Sequence, residues 1–213
     1  MNAGCRPLKI DEVDTLNKYF DNAPFHKHLN RDYLLIHIGF AIGWRMSELL
    51  QIKISDVWDF NNNRVLDYIH INKNKVKKKI QGKSSLVSND LKKIIENYLL
   101  KYSLPLKEEY LFQSPMIIGD RNGVSGLTKT LPLGYRQALR IVKKHFVNAG
   151  LDPSNLSTHT LRKVFSDRVY KAVDHDLISL QHAMGHKSIN STAAYVQVNK
   201  EKVENVLSKL KFI

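Results

Sequence analysis

One cysteine, Cys5, stands in 213 residues. It excludes an internal disulfide framework and any multi-cysteine zinc site. No apolar run is long enough to span a bilayer; the longest lies near Leu34 to Trp44. No charged-then-apolar signal segment opens the sequence. These absences predict a reducing, cytoplasmic setting. Common catalytic signatures are missing too. There is no G-x-S-x-G elbow and no H-E-x-x-H. "QGKSS" contains a Gly-Lys-Ser triplet, but a P-loop needs glycine five residues earlier, where Lys77 stands. Carboxylates are scattered and form no cluster for a two-metal phosphoryl site. "HKH" at His26 to His28 reads as a polar loop. His182 and His186 stand four apart but lack a third ligand, so no metal and no cofactor is expected.

Acid itself is scarce. Thirty-three Lys and Arg face 20 Asp and Glu, a net charge of +13. A surface this basic is an electrostatic footprint for nucleic acid. Membrane surfaces also attract basic chains, but no basic amphipathic anchor is evident at either end.

Periodicity predicts a mainly α chain with one small antiparallel β-sheet. "LKIDEVDTLNKYF" puts Ile10, Val13, Leu16 and Phe20 on a helical stripe. A second, more buried helix runs from about Asn30 to Ile42 and stops at Gly43. "MSELLQI" restarts helix, with Ser47 as its expected cap. "RVLDYIHI" reads as a strand, preceded by a hairpin with "VWDF", and "SSLV" as a return strand. Between these strands lies a lysine-rich hairpin. "NDLKKIIENYLLKY" is helical with Leu91, Ile94, Ile95, Tyr98 and Leu99 inward. "SPMIIGDRNGVSG" is glycine-rich and expected to be a loop. The helix "LGYRQALRIVKKHFVNAG" turns Tyr135, Ala138, Leu139, Val142 and Phe146 inward. Its Arg136, Arg140, Lys143 and Lys144 lie mostly on other faces, and Gly150 closes it. "STHTLRKVFSDRVYK", "HDLISLQHAM" and "EKVENVLSKLKF" are further helices. No repeat or linker divides the sequence, so residues 1–213 are expected to form one domain. Residues 1–7 are expected to be a disordered or added start, and residues 200–213 a helix that docks on its own domain or on a neighbouring protomer.

Three short segments place polar groups directly after apolar ones. "GWRMSELLQIKISDV" sets Arg45 at a helix break, with Glu48 three residues on, able to hold its guanidinium. "HTLR" sets His159 and Arg162 three apart, side by side on a helix. "MGHKSINSTAAY" sets His186 nine residues before Tyr195. At about 3.6 residues per turn, nine steps along one helix put the two on opposite faces. Gly185 argues that the chain breaks between them.

Taken together, the segments resemble the tyrosine recombinase (phage integrase) family, with its G-x-R-x-S-E-L, H-x-x-R and L-G-H-x-S-x-x-x-T-x-x-Y boxes in order. Met184 replaces the leucine of the third box. The resemblance runs from about Leu8 to about Asn199. It implies that one helix ends at Gly185 and that another, started by Ser188, carries the tyrosine.

The same resemblance implies the chemistry. A phosphodiester anion repels a nucleophile, so the site must gather positive charge around its non-bridging oxygens. Arginine bonds two such oxygens and stays charged. Arg45 and Arg162 would form the clamp, His186 would donate to the phosphate, and His159 would donate or take the phenol's proton. Tyr195 would be the nucleophile, leaving a 3′-phosphotyrosyl link and a 5′-hydroxyl. Lys73, or else Lys75, would protonate that leaving oxygen. Glu48 would orient Arg45. Lys75, Lys77, Lys78, Lys79 and Lys83 on the hairpin, with Arg136, Arg140, Lys143 and Lys144, would bind backbone phosphates.

The implied protein is a site-specific recombinase acting on double-stranded DNA without metal or ATP, monomeric when free and tetrameric on DNA. Most family members carry a separate N-terminal helical domain, whereas here the catalytic-type sequence starts almost at once. It therefore reads as the catalytic domain of a longer protein or as a short single-domain recombinase. The rival readings are a type IB topoisomerase, a non-catalytic DNA-binding relative and, more remotely, a metal-dependent nuclease.

Overall fold

Leu34, Leu35, Ile36, Ile38, Phe40 and Ile42 are all at most 4% exposed. A helix apolar on every side must be central to its domain. In the computed structural model, which describes residues 5–23, 26–71, 83–101, 109–118, 129–193 and 208–209, this helix is central. The chain divides into two compact units, residues 1–165 and 166–213.

The first unit opens with α1 (Ile10–Asp21) and the central α2 (Lys27–Ile42), followed by the single-turn α3 (Met46–Leu49). Three two-stranded antiparallel pairs follow: β1 (Trp58–Asp59) with β2 (Arg64–Val65), β3 (Tyr68–Ile71) with β4 (Lys83–Leu86), and β5 (Gln113–Ile118) with β6 (Lys129–Pro132). Helix α4 (Asn89–Lys101) lies between the second and third pairs, and α5 (Tyr135–Asn148) follows the third. Helix α6 (Thr158–Ala172) begins in the first unit and crosses the boundary. The second unit continues with α7 (Leu177–Met184) and α8 (Ile189–Ala193). Among the described residues, no helix is long and apolar enough to cross a membrane.

Helix α2 packs against α3, α4 and α5. The expected inward residues Val13, Leu16, Phe20, Leu91, Ile95, Leu99, Ala138, Val142 and Phe146 are buried. Ile94 and Tyr98 are partly buried against the same core. Leu139 is half-buried, and two expected inward residues are exposed: Ile10 is 75% exposed and Tyr135 46%. Each sits in the first turn of its helix, beyond the edge of the core it was assigned to. Leu8, just before α1, is buried instead. Ser47 is not a cap; it lies inside α3, and Arg45 occupies the cap position.

The β structure also departs from expectation. "RVLDYIHI" is two strands, because the partner changes from β1 to β4 across Leu66 and Asp67. The Asp67 carbonyl accepts from Val87 N–H at 2.9 Å, and its carboxylate is bonded by Lys92. The glycine-rich stretch expected to be all loop contributes β5, whose Ile117 and Ile118 pair with Thr130 and Lys129. The expected last helix falls on residues 200–213, of which only 208–209 are among the described residues.

A buried polar chain crosses this apolar core. Asp32 accepts from Arg31 Nε at 2.9 Å and Nη2 at 2.6 Å, and lies 3.1 Å from His145 Nε2. His145 Nδ1 is 3.1 Å from the Tyr19 hydroxyl, and Arg31 Nη1 donates to the Gln113 carbonyl at 2.9 Å. Buried charges persist only when paired and hydrogen-bonded, and this chain ties α1, α2, α5 and β5 together. His26, of the "HKH" run, caps α2: its Nδ1 accepts from His28 N–H at 3.2 Å.

Helix α2 ends where the sequence places its stop. Gly43 adopts φ 61° and ψ 17°, the left-handed region. A Cβ there would fall 2.1 Å from Phe165 Cδ1 on α6. Four residues earlier, a Cβ on Gly39 would fall 2.8 Å from Leu161 Cδ1. Glycine at both positions lets α2 and α6 approach backbone to side chain. Gly43→Ala should therefore lower stability by about 2–5 kcal/mol, the sum of left-handed strain and overpacking. Urea unfolding at constant m-value checks this; a change below about 1 kcal/mol would mean that the turn relaxes freely.

Candidate active site

The Gly43 turn brings two distant sequence boxes together. Its carbonyl accepts a hydrogen bond from Arg162 Nη1 of α6. Arg162 is 1% exposed, among the largest fully buried side chains. Two residues past Gly43 the chain turns into α3, and Arg45 stands at its cap with its side chain 48% exposed. His159, one turn before Arg162 on α6, is exposed.

Glu48 is buried beneath this turn, its side chain 6% exposed. Its Oε2 accepts from Arg45 N–H at 2.7 Å, which caps a helix too short to satisfy its own donors. Its hold on the Arg45 guanidinium is looser, at 3.5 Å. The near cation is Lys83, the first residue of β4, whose Nζ lies 2.9 Å from the carboxylate. Lys83, expected among the lysines reaching for backbone phosphate, is instead an inward side chain, only 13% exposed. The β3–β4 register explains this: Lys83 pairs with Ile71, itself buried.

The electrostatics follow from these groups sharing one small volume. Burial alone would raise the Glu48 carboxyl; hydrogen bonds from Lys83 and Arg45 N–H, with both positive charges, outweigh it and hold the group below the ordinary carboxylate value. Burial pushes the Lys83 ammonium down, Glu48 opposes that, and the charges of Arg162 and Arg45 push it further. His159 is also lowered, by partial desolvation first, then by Arg162, Arg45 and Lys163. At neutral pH such an imidazole is mostly neutral and can accept a proton.

The second unit presents His186. Helix α7 starts at Asp176, whose carboxylate accepts from Ile178 and Ser179 N–H, each at 3.0 Å. It ends at Gly185 in the left-handed region, φ 61°. Helix α8 begins just after Ser188. The expected stop and restart are thus present. His186 is held between them: its Nδ1 is 2.9 Å from Thr192 Oγ1, and its carbonyl accepts from Gln181 Nε2 at 3.1 Å. Thr192 is the threonine of the third box, a signal present in the sequence to which no role was attached.

The first unit therefore gathers Arg45, Glu48, His159 and Arg162, and adds Lys83. Arg136, Arg140, Lys143 and Lys144 are exposed along α5. Tyr195, Lys73, Lys75, Lys77, Lys78 and Lys79 lie outside the described residues. Among the described residues, no three His, Cys, Asp or Glu side chains are arranged to hold a metal ion.

The phage integrase family model matches residues 6–202. The chain belongs to that family. Tyrosine recombinase XerH of Campylobacter jejuni is 28% identical over 208 residues, covering 95% of this chain and 52% of that protein. The probable integrase/recombinase YoeC of Bacillus subtilis is 29% identical over 198 residues, covering 92% and 91%. The crystal structure of XerH bound to palindromic difH substrate, a post-cleavage complex, superposes with TM-score 0.68 at 25% identity, over 98% of this chain and 54% of that one. The chain thus spans about half the length of the XerH relatives it matches. The arginines of the first two boxes and the glutamate of the first converge on one turn.

Glu48→Gln should cost roughly 3 kcal/mol at neutral pH, because it leaves the Lys83 ammonium buried without its counter-charge. The sign in acid follows from the shift. A carboxylate held below its ordinary value of 4.5 contributes stability above that pH and loses it as pH falls through the folded value. The gap between wild type and Glu48→Gln, measured by urea unfolding, should therefore narrow below about pH 4.5. A constant gap down to pH 3 would contradict the ionised pair.

Proposed function

We propose that this chain is a site-specific DNA recombinase of the tyrosine type. It cleaves and rejoins strands through a 3′-phosphotyrosyl intermediate, without metal or ATP. The observation that carries this reading is the convergence of Arg45, Arg162 and His159 on the Gly43 turn. A double-stranded DNA partner is supported by the net charge of +13 and by relatives solved as DNA complexes.

In the proposed reaction, the Tyr195 phenolic oxygen attacks the scissile phosphorus. The new P–O bond to tyrosine forms as the P–O5′ bond breaks. His159, its affinity for protons lowered by its surroundings, accepts the phenolic proton. Arg45 and Arg162 neutralise the non-bridging oxygens as charge builds, and His186 donates a further hydrogen bond. A hairpin lysine, Lys73 in the first instance and Lys75 in the second, gives its proton to the departing 5′-oxygen. The phosphotyrosyl ester conserves the energy of the broken bond, so a 5′-hydroxyl from a partner duplex reverses the step and completes exchange. Four protomers around two duplexes suffice. Arg136, Arg140, Lys143 and Lys144 form an exposed stripe suited to backbone phosphates, which fix register without reading sequence.

The test is incubation with nicked suicide duplexes drawn from the flanking genome, with peptide mapping of any covalent adduct. Tyr195→Phe should still bind DNA and yield no SDS-resistant adduct; an unchanged adduct refutes the nucleophile. Arg45→Ala should lower cleavage about 100-fold or more, while stability changes by under about 1 kcal/mol, since its side chain is half exposed and loosely paired. Transfer of the adduct to a second duplex distinguishes recombination from simple relaxation.

The acid limb of single-turnover cleavage should have its midpoint below the ordinary histidine value of 6.5, where His159 takes up its proton. Lys163→Gln, which removes one of the charges lowering His159, should move that midpoint upward. A midpoint unmoved by Lys163→Gln would assign the limb to another group.

A further inference from the structure

Glu48 is a buried carboxylate with two cations in reach, and the structure shows an unequal division between them. Lys83 Nζ lies 2.9 Å from it, whereas the Arg45 guanidinium lies 3.5 Å away and keeps its side chain 48% exposed. A buried carboxylate demands a counter-charge. Were Lys83 absent, the cation able to supply it from three residues away is Arg45. The guanidinium would then be drawn into a full ion pair with Glu48 and lost to solvent and ligand.

We propose that Lys83 is a positioning residue that occupies the Glu48 carboxylate and thereby keeps the Arg45 guanidinium available to a phosphate. This rests on the reading of Arg45 as a phosphate clamp. Two features of the cluster favour it over a purely structural pair. Lys83 is held near Arg45 and Arg162, whose charges oppose it, so an apolar pair at positions 48 and 83 would be the easier choice for stability alone. Glu48 is committed to the Arg45 N–H at 2.7 Å, so its charge cannot be moved away from the arginine.

The experiment compares Lys83→Met, Glu48→Gln, the double variant and Lys83→Arg. The substrates are an ordinary suicide duplex and one with a 5′-bridging sulfur, a leaving group that needs no acid. Lys83→Met should slow adduct formation about 100-fold on both substrates alike, the scale of a misplaced reacting group. Removing the carboxylate as well should restore the rate of the double variant to near that of Glu48→Gln, because nothing then competes for Arg45. Lys83→Arg should stay close to wild type. Thermal unfolding of each variant separates folding from chemistry. Where Lys83→Met does not fold, the double variant, which buries no unpaired charge, and Lys83→Arg decide the matter.

A double variant that is folded and as slow as Lys83→Met overturns the proposal. So does recovery of Lys83→Met on the sulfur substrate alone together with loss of activity in Lys83→Arg, which would make Lys83 the proton donor itself. Unchanged rates in Lys83→Met also overturn it. If wild type forms no Tyr195-dependent adduct on either substrate, the strand-transfer reading falls and takes this role with it; a wild-type adduct without rescue removes only the role of Lys83.

Discussion

The carbonyl of Gly43 holds the guanidinium of Arg162, and the geometry of the first unit's candidate site depends on that bond. It requires a backbone that reverses sharply after a sixteen-residue apolar helix, in a conformation open to glycine at little cost. It also requires α6 close enough for Phe165 to fill the space where a Cβ would be. Given both, Arg162 is fixed on one side of the turn and Arg45 emerges on the other two residues later. Two arginines more than a hundred positions apart in sequence become neighbours through one peptide unit. The apolar packing of α2 thus does more than stabilise: it sets the position of the charges.

That arrangement concentrates like charge. Arg45, Arg162 and Lys83 act on one another around a single carboxylate. Their mutual repulsion works against the fold, and the single Glu48 carboxylate offsets only part of the positive charge. The excess of positive charge is unfavourable in isolation and becomes favourable when an anion enters. A site already charged and held by the fold needs little rearrangement at the moment of reaction, which is where electrostatic catalysis has its advantage over water. The lowered proton affinity of His159 follows first from its partial burial and then from the same field.

Much of this was legible in the sequence, for identifiable reasons. The apolar run of α2, its glycine stop, the stripes of α4 and α5, and the Gly185 break announce themselves because periodicity and left-handed glycines are local properties. The three boxes are likewise local, and their order identified the family. What was not legible depends on tertiary partners. The division of "RVLDYIHI" is set by which strand faces each half, and β5 forms because Ile117 and Ile118 find β6. Arg31, Asp32 and His145 carry no local pattern that marks them, because their pairing exists only once α2 and α5 meet. Lys83 looked like one more member of a lysine run; only the pairing of β3 with β4 turns it inward.

The position of Glu48 raises a physical question of its own: why place a carboxylate among cations proposed to bind phosphate? The answer lies in α3. A helix of four residues has almost no internal hydrogen bonds, and its first N–H groups need an acceptor. Glu48 reaches back to the N–H of Arg45 and supplies one, which fixes the backbone from which the guanidinium projects. An uncharged glutamine would accept that bond more weakly, since charge-assisted bonds are roughly twice as strong. The carboxylate is therefore well suited to holding Arg45 by its backbone and, for the same reason, liable to capture it by its side chain. A cation delivered from a different strand resolves the conflict. It satisfies the acid without coming from the segment the acid must hold, so backbone placement and side-chain availability can be set independently.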